Sequence, residues 1–154
     1  MLFGKVHGGR HLDPFKNPAT AVLLIIGLWF GVNLVISFVS GWAELARVYR
    51  FRGQFLGETW SFQSGQMRML MGIGNAMKVG ADQQGLYLSL LFMFRPGKPP
   101  LYVPWQDIAT REGRFLFWNY VELRFRQAPN VYLQISKVLA HKLAMASGGN
   151  WPGD

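Results

Sequence analysis

His7 and His11 stand four residues apart, the separation that would put two imidazoles on one helix face and let them share a divalent metal. Gly8 and Gly9 between them disfavour that helix, so the pair is expected in a mobile tail and not in a metal site. His141 stands beside Lys142 in a segment expected to face solvent. Glu44, Glu58, Asp82, Asp107, Glu112 and Glu122 are scattered over turns and strand exteriors, without the close pair that general acid-base catalysis needs. Gly72-Ile73-Gly74 lacks the third glycine and the strand-to-helix context of a dinucleotide loop. The chain has no cysteine, which excludes disulfides, thiolate metal ligation and a Cys nucleophile. The expectation is therefore a non-enzyme, with no cofactor and no metal.

The residues with the clearer chemical meaning are basic. Sixteen Lys and Arg against eight Asp and Glu give a formal charge of +8, which suits phospholipid headgroups, nucleic acid or an acidic protein. Nucleic acid is not the expected partner, because no helix-turn-helix, zinc or RNP-like pattern accompanies the charge. Arg47, Arg50 and Arg52, with Arg95 and Lys98 as a second group, are the candidates for lipid-headgroup contact. A basic residue near an anionic surface contributes about 1 kcal/mol. Gly27 and Gly31 form a G-x-x-x-G pair that allows close helix-helix contact, and Asn33 two residues on has an amide for hydrogen bonding across such an interface.

These residues need elements to hold them, and the first is plain. No charged side chain occurs between Lys16 and Glu44. A helix of about 20 to 25 apolar residues crosses a hydrocarbon core of about 30 Å, so residues 18–42 predict a single transmembrane helix. The thirteen Leu, Ile, Val and Phe in that run contribute about −4 to −8 kcal/mol toward insertion, before the polar and glycine residues subtract a few. A cleaved signal peptide is the rival, given Lys5, Arg10 and Lys16 ahead of the run. Its apolar core is normally only about 7 to 15 residues, so a retained anchor is preferred. Orientation is balanced: Lys5, Arg10 and Lys16 flank one side and Arg47, Arg50 and Arg52 the other.

Residues 43–55 interleave apolar and basic side chains and predict a juxtamembrane helix that extends the span or lies along the interface. Beyond them, short apolar runs alternate with turn signals, the texture of a meandering antiparallel sheet. Strands are expected at 59–64, 76–81, 85–94, 101–103 with 107–110, 115–126 and 131–135. The separators include Arg111-Glu112-Gly113 and Gln127-Ala128-Pro129-Asn130. Period-two alternation puts Val121, Leu123 and Phe125 inward and Glu122, Arg124 and Arg126 outward, and Val131, Leu133 and Ile135 repeat the inward set. Ser136 is expected to cap a helix over residues 137–146, ended by Ser147-Gly148-Gly149. The almost wholly apolar run 85–94 is too short to span as a helix and reads as a doubly buried strand, with a membrane-dipping hairpin as its alternative.

The strand order closing on one amphipathic helix, with Gly85-Leu86-Tyr87-Leu88-Ser89 and then Val103-Pro104-Trp105-Gln106-Asp107-Ile108, resembles the pleckstrin-homology-like (PH/GRAM-type) domains of small bacterial membrane proteins with one N-terminal transmembrane helix. The resemblance covers roughly residues 54–146 and rests on strand texture and one Pro-Trp-x-Asp-Ile turn. It implies an α+β fold in which a single transmembrane helix precedes an antiparallel, β-rich PH-like domain closed by a C-terminal helix. It also implies a scaffold or binding role without naming a ligand, and a cytoplasmic position for the domain. Within the turn, Trp105 and Ile108 are expected inward and Asp107 to serve local hydrogen bonds.

The resulting organisation is a tail at 1–17, a transmembrane helix at 18–42, a juxtamembrane helix at 43–55, the PH-like domain at 56–147 and a tail at 148–154. The function expected is a membrane-anchored, non-catalytic interaction module that binds anionic lipid or a membrane-protein partner. The alternative is a structural accessory subunit of a larger membrane complex, reached through Gly27, Gly31 and Asn33, with Trp118 and Tyr120 as aromatic contacts. Expected partners are accordingly membrane lipids, integral membrane proteins or a second copy of the chain.

Overall fold

The computed structural model describes Gly4 and residues 17–39, 41–67 and 71–153, without the side chains of 37–39 and 71–75. The tail through residue 16, with His7, His11, Lys5, Arg10 and Lys16, otherwise lies outside the described residues. The chain divides into two compact units, Met1–Val32 and Asn33–Asp154.

Helix α1 runs Pro18–Val39. Asn17 starts it: its Oδ1 accepts from the Ala19 N–H at 3.1 Å, and Pro18 takes the first helical position, where a missing N–H costs nothing. The stretch Pro18–Ile36 is long and apolar enough to cross a membrane, and 6% of it is buried within the protein. The helix ends earlier than residue 42 because Gly41 adopts φ +83°, a left-handed conformation open to glycine.

Helix α2 follows as Trp42–Tyr49. Its Trp42, Leu45 and Tyr49, spaced three and four residues apart, form one buried face, while Arg47 and Val48 are exposed. Its contacts are with the sheet, so it is part of the domain core and not an extension of the span. The helical prediction to residue 55 stops at Tyr49, because Arg50 turns to ψ 124° and bridges to Leu101 as extended chain.

Seven antiparallel strands follow: β1 Glu58–Met67, β2 Met71–Ala81, β3 Gly85–Leu90, β4 Leu101–Pro104, β5 Ile108–Phe115, β6 Trp118–Phe125 and β7 Ala128–Ser136. Their order in the sheet is β4-β3-β2-β1-β7-β6-β5. The β1 strand thus pairs with both β2 and β7, joining one meander to the next. Helix α3, Lys137–Ala146, closes the chain against β2, β6 and β7. Ser136 caps it, accepting from the Leu139 N–H at 3.1 Å, and Gly148 and Gly149 end it at positive φ. The fold is α+β: an apolar helix, a seven-stranded antiparallel sheet and a closing helix.

The run 85–94 divides. Residues of β3 are all buried, as a doubly covered strand requires, but Phe92–Phe94 leave the sheet as an exposed 3₁₀ turn. The turn expected at Arg111-Glu112-Gly113 lies inside β5. There Gly113 faces Tyr120 across the ladder, and a Cβ on Gly113 would meet the Tyr120 ring at 2.3 Å. The reversal occurs instead at Leu116, at φ +53°.

The core is one cluster joining Trp42, Leu45 and Tyr49 to the inward strand residues and to Leu139 and Leu143 of α3. Val121, Leu123 and Phe125 are buried as the alternation requires, and so are Val131, Leu133 and Ile135. Glu122 departs from it. It is 8% exposed, held by Arg124 Nε at 2.6 Å and by Gln134 Nε2 at 3.2 Å. Because β6 is flanked by β5 and β7, long polar neighbours cover its outer face. Beyond α3 the chain folds back: Trp151 meets Trp105 edge-on at 5.5 Å and Asn150 donates to the Gln83 carbonyl.

Candidate functional site

The exposed side of α2 presents Arg47, and Arg50 follows at its C-terminal end. Facing them is the loop between β3 and β4, which is tied at several points. The Leu91 N–H donates to the Ala76 carbonyl at 2.9 Å and the Lys98 N–H to the Arg95 carbonyl at 2.8 Å. The Trp42 indole N–H donates to the Pro99 carbonyl at 2.9 Å, and this bond fixes the loop against α2.

Between helix and loop lies an open cavity of about 500 Å³, lined by Ala43, Ala46, Arg47, Arg50, Arg95, Gly97, Lys98 and Pro99. Its four charged lining residues are all basic, and the others are small, which leaves room for a tetrahedral anion. A guanidinium presents a planar fork of donors that matches phosphate oxygens in pairs. Arg95 directs its Nε to the Leu90 carbonyl at 3.0 Å, which orients the side chain and leaves the Nη end for a ligand.

Lys98 differs from the arginines. It is 5% exposed, and its Nζ donates to Asn33 Oδ1 at 3.3 Å. Burial lowers its pKa below the ordinary lysine value, since a desolvated ammonium is disfavoured. Lys98 therefore secures the loop to Asn33 more than it reaches outward.

Of the five residues singled out for headgroup contact, Arg47, Arg50, Arg95 and Lys98 share this cavity and Arg52 does not line it. The helix-contact trio is divided. Asn33 is buried, with its amide oxygen engaged by Lys98, whereas Gly27 and Gly31 have open space where a Cβ would stand. Trp118 is 76% exposed, in an apolar stretch with Phe115, Leu116 and Phe117, while Tyr120 lies over Gly113 and is half-buried.

The carboxylates hold the fold at separate places. Asp107 Oδ2 accepts from the Tyr49 hydroxyl at 3.2 Å and from Gln127 Nε2 at 2.8 Å, pinning α2 to the β6–β7 turn. These partners are side chains, not the backbone N–H groups of the local bend. Asp82 Oδ1 accepts from the Gln84 and Gly85 N–H groups, both at 2.8 Å, and from the Tyr102 hydroxyl at 2.7 Å. Glu112 pairs with Lys137 at 2.8 Å, beside a second cavity of about 510 Å³ that exposed His141 also lines. Among the described residues, no three His, Asp or Glu side chains are grouped to hold a metal ion.

Sequence reasoning selects the basic residues but not their meeting place. Neither the Trp42–Pro99 bond nor the small floor of Ala43, Ala46 and Gly97 has a local signature. The alternation of Ala43 and Ala46 with Arg47 along α2 is the nearest signal. No protein-family model, curated protein or solved structure matches this chain.

Proposed function

We propose that this chain is a membrane-anchored, non-catalytic interaction module that holds an anionic phospholipid headgroup in the cavity between α2 and the β3–β4 loop. The observation that carries the reading is the convergence of Arg47, Arg50 and Arg95 around one open cavity whose charged lining is wholly basic. Three guanidinium groups that repel one another are stabilised by a shared anion. The apolar helix supports a bilayer as its source, and the carboxylates at Asp82, Asp107 and Glu122 act as structural acceptors.

In this proposal the domain is PH-like. The reading is supported by a seven-strand antiparallel order in which β1 bridges two meanders, and by the closing helix. The domain faces the cytoplasm, in keeping with the resemblance carried by residues 54–146.

Native mass spectrometry of the full chain, released from mixed phosphatidylcholine and phosphatidylglycerol nanodiscs, tests the headgroup assignment. The wild type is expected to retain phosphatidylglycerol, and the Arg47→Ala/Arg50→Ala double variant to lose most of it. Equal retention of both lipids by the wild type would defeat the proposal.

The accessory-subunit reading has an observation of its own. Phe115, Leu116, Phe117 and Trp118 are consecutive and each at least 67% exposed, an apolar tip suited to a protein partner. A native mass of one chain, with no partner after mild detergent extraction, would count against it.

A further inference from the structure

The β3–β4 loop holds a second feature beside the basic cavity. Phe92, Met93 and Phe94 form its 3₁₀ turn and are 85%, 65% and 40% exposed. The turn is built, with the Phe94 N–H on the Leu91 carbonyl at 2.8 Å and the Arg95 N–H on the Phe92 carbonyl at 3.3 Å. Its apolar side chains are thus presented outward by a hydrogen-bonded frame.

The other end of the same loop rests on the last turns of α1. Lys98 Nζ meets Asn33, and a Cβ on Gly97 would stand 2.7 Å from the Leu34 side chain. Asn33 and Leu34 precede Val39, the last residue of α1, by six and five residues. At 1.5 Å per residue they lie about 7 to 9 Å inside that end. The polar layer on each side of the hydrocarbon core is about 5 to 8 Å thick, so a loop in contact with these residues lies near the boundary between headgroups and hydrocarbon. Exposed aromatic and thioether side chains at that depth, followed by Arg95, match the composition of segments that rest in a membrane interface.

We infer that the Phe92–Phe94 turn inserts into the bilayer, so that the membrane holds the domain at two points. The Phe115–Trp118 tip does not share this position: alternating strand directions put the β5–β6 turn at the opposite end of the strands from the β3–β4 loop. Insertion rests on the reading of α1 as a membrane span, but it does not require a headgroup in the basic cavity.

The chain has no cysteine, so single reporters can be placed without removing native thiols. Phe92→Cys, Met93→Cys and His141→Cys, each in the full chain and spin-labelled, are reconstituted in neutral phosphatidylcholine liposomes. Relaxation by oxygen and by a water-soluble nickel chelate is then compared. Labels at 92 and 93 are expected to favour oxygen over nickel at least several-fold more than the label at 141. If both collide with nickel as often as the reference does, the turn lies in water and the inference fails. Neutral lipid separates the two ideas, because loss of anionic-lipid retention leaves this result unchanged and a water-exposed turn leaves the lipid retention unchanged.

Discussion

Lys98 and Tyr102 show how burial converts an ordinary side chain into a measurable pH dependence. The Lys98 amine, desolvated against Asn33, has its pKa lowered from 10.5, so between that lowered value and 10.5 the unfolded chain binds more protons than the folded one. Stability contributed at this site therefore rises with pH through that window. Thermal unfolding of wild type and Lys98→Met in the same detergent should show a difference that shifts in favour of the wild type as pH rises toward 10.5, then levels. A difference independent of pH would mean that the amine is hydrated. Tyr102 runs the opposite way. Its hydroxyl is kept protonated first by burial and then by its bond to Asp82 and the charge there, so its pKa rises well above 10.0. The folded state then retains a proton that the unfolded state gives up, and this stabilisation is lost as pH climbs above about 10. In an ultraviolet titration, Tyr102→Phe should leave the phenolate absorbance reached by about pH 11 unchanged in the folded protein. A fall by one phenol's amplitude would place Tyr102 among the ordinary tyrosines.

At the level of elements, one tight joint is the β3–β4 pair where Gly85 faces Pro104. A Cβ on Gly85 would stand 2.4 Å from the Val103 carbonyl oxygen and 2.9 Å from the Tyr102 ring, so the backbone must move to admit it. Gly85→Ala should lower unfolding stability by about 1 to 3 kcal/mol, the usual penalty of overpacking, read as a shift in the chemical denaturation midpoint. An unshifted midpoint would show that the two strands separate freely. The elements were unequally legible. Ser136 ahead of the helix and Gly148-Gly149 after it are strong local signals, and α3 lies between them as the spacing predicts. The apolar run likewise announces α1. The β5–β6 reversal was not legible, because it is made by Leu116 at positive φ among Phe115, Phe117 and Trp118, with no Gly, Pro or Asn in the turn. Gly113, which reads as a turn glycine, is instead a strand residue under the Tyr120 ring. The basic cavity falls between these cases. Arg47 and Arg50 are neighbours in sequence, but Arg95 and Lys98 join them only through tertiary contacts across the Trp42–Pro99 bond.

For the whole molecule, the proposed anchor bears on which side of a membrane the domain would occupy. Flanking charge leaves it undecided, with three basic residues before the span and Arg47, Arg50 and Arg52 after it. The fold adds an argument that a charge count lacks, since Arg47, Arg50 and Arg95 converge on one cavity instead of dispersing into solvent. Such a cavity gains most from the leaflet richer in anionic lipid. A cytoplasmic leaflet with a surface potential of about −30 mV favours each nearby basic residue by about 1 kcal/mol. Arg47 and Arg50 already stand in the balanced flanking count, so it is Arg95, brought to them by the fold, that tips it. We therefore expect His141, exposed on α3, to face the cytoplasm. A His141→Cys variant should resist a membrane-impermeant maleimide in intact cells and react once the cells are permeabilised. Labelling in intact cells would reverse the assignment. It would also leave the cavity facing a leaflet in which the proposed anionic headgroup has a weaker electrostatic advantage.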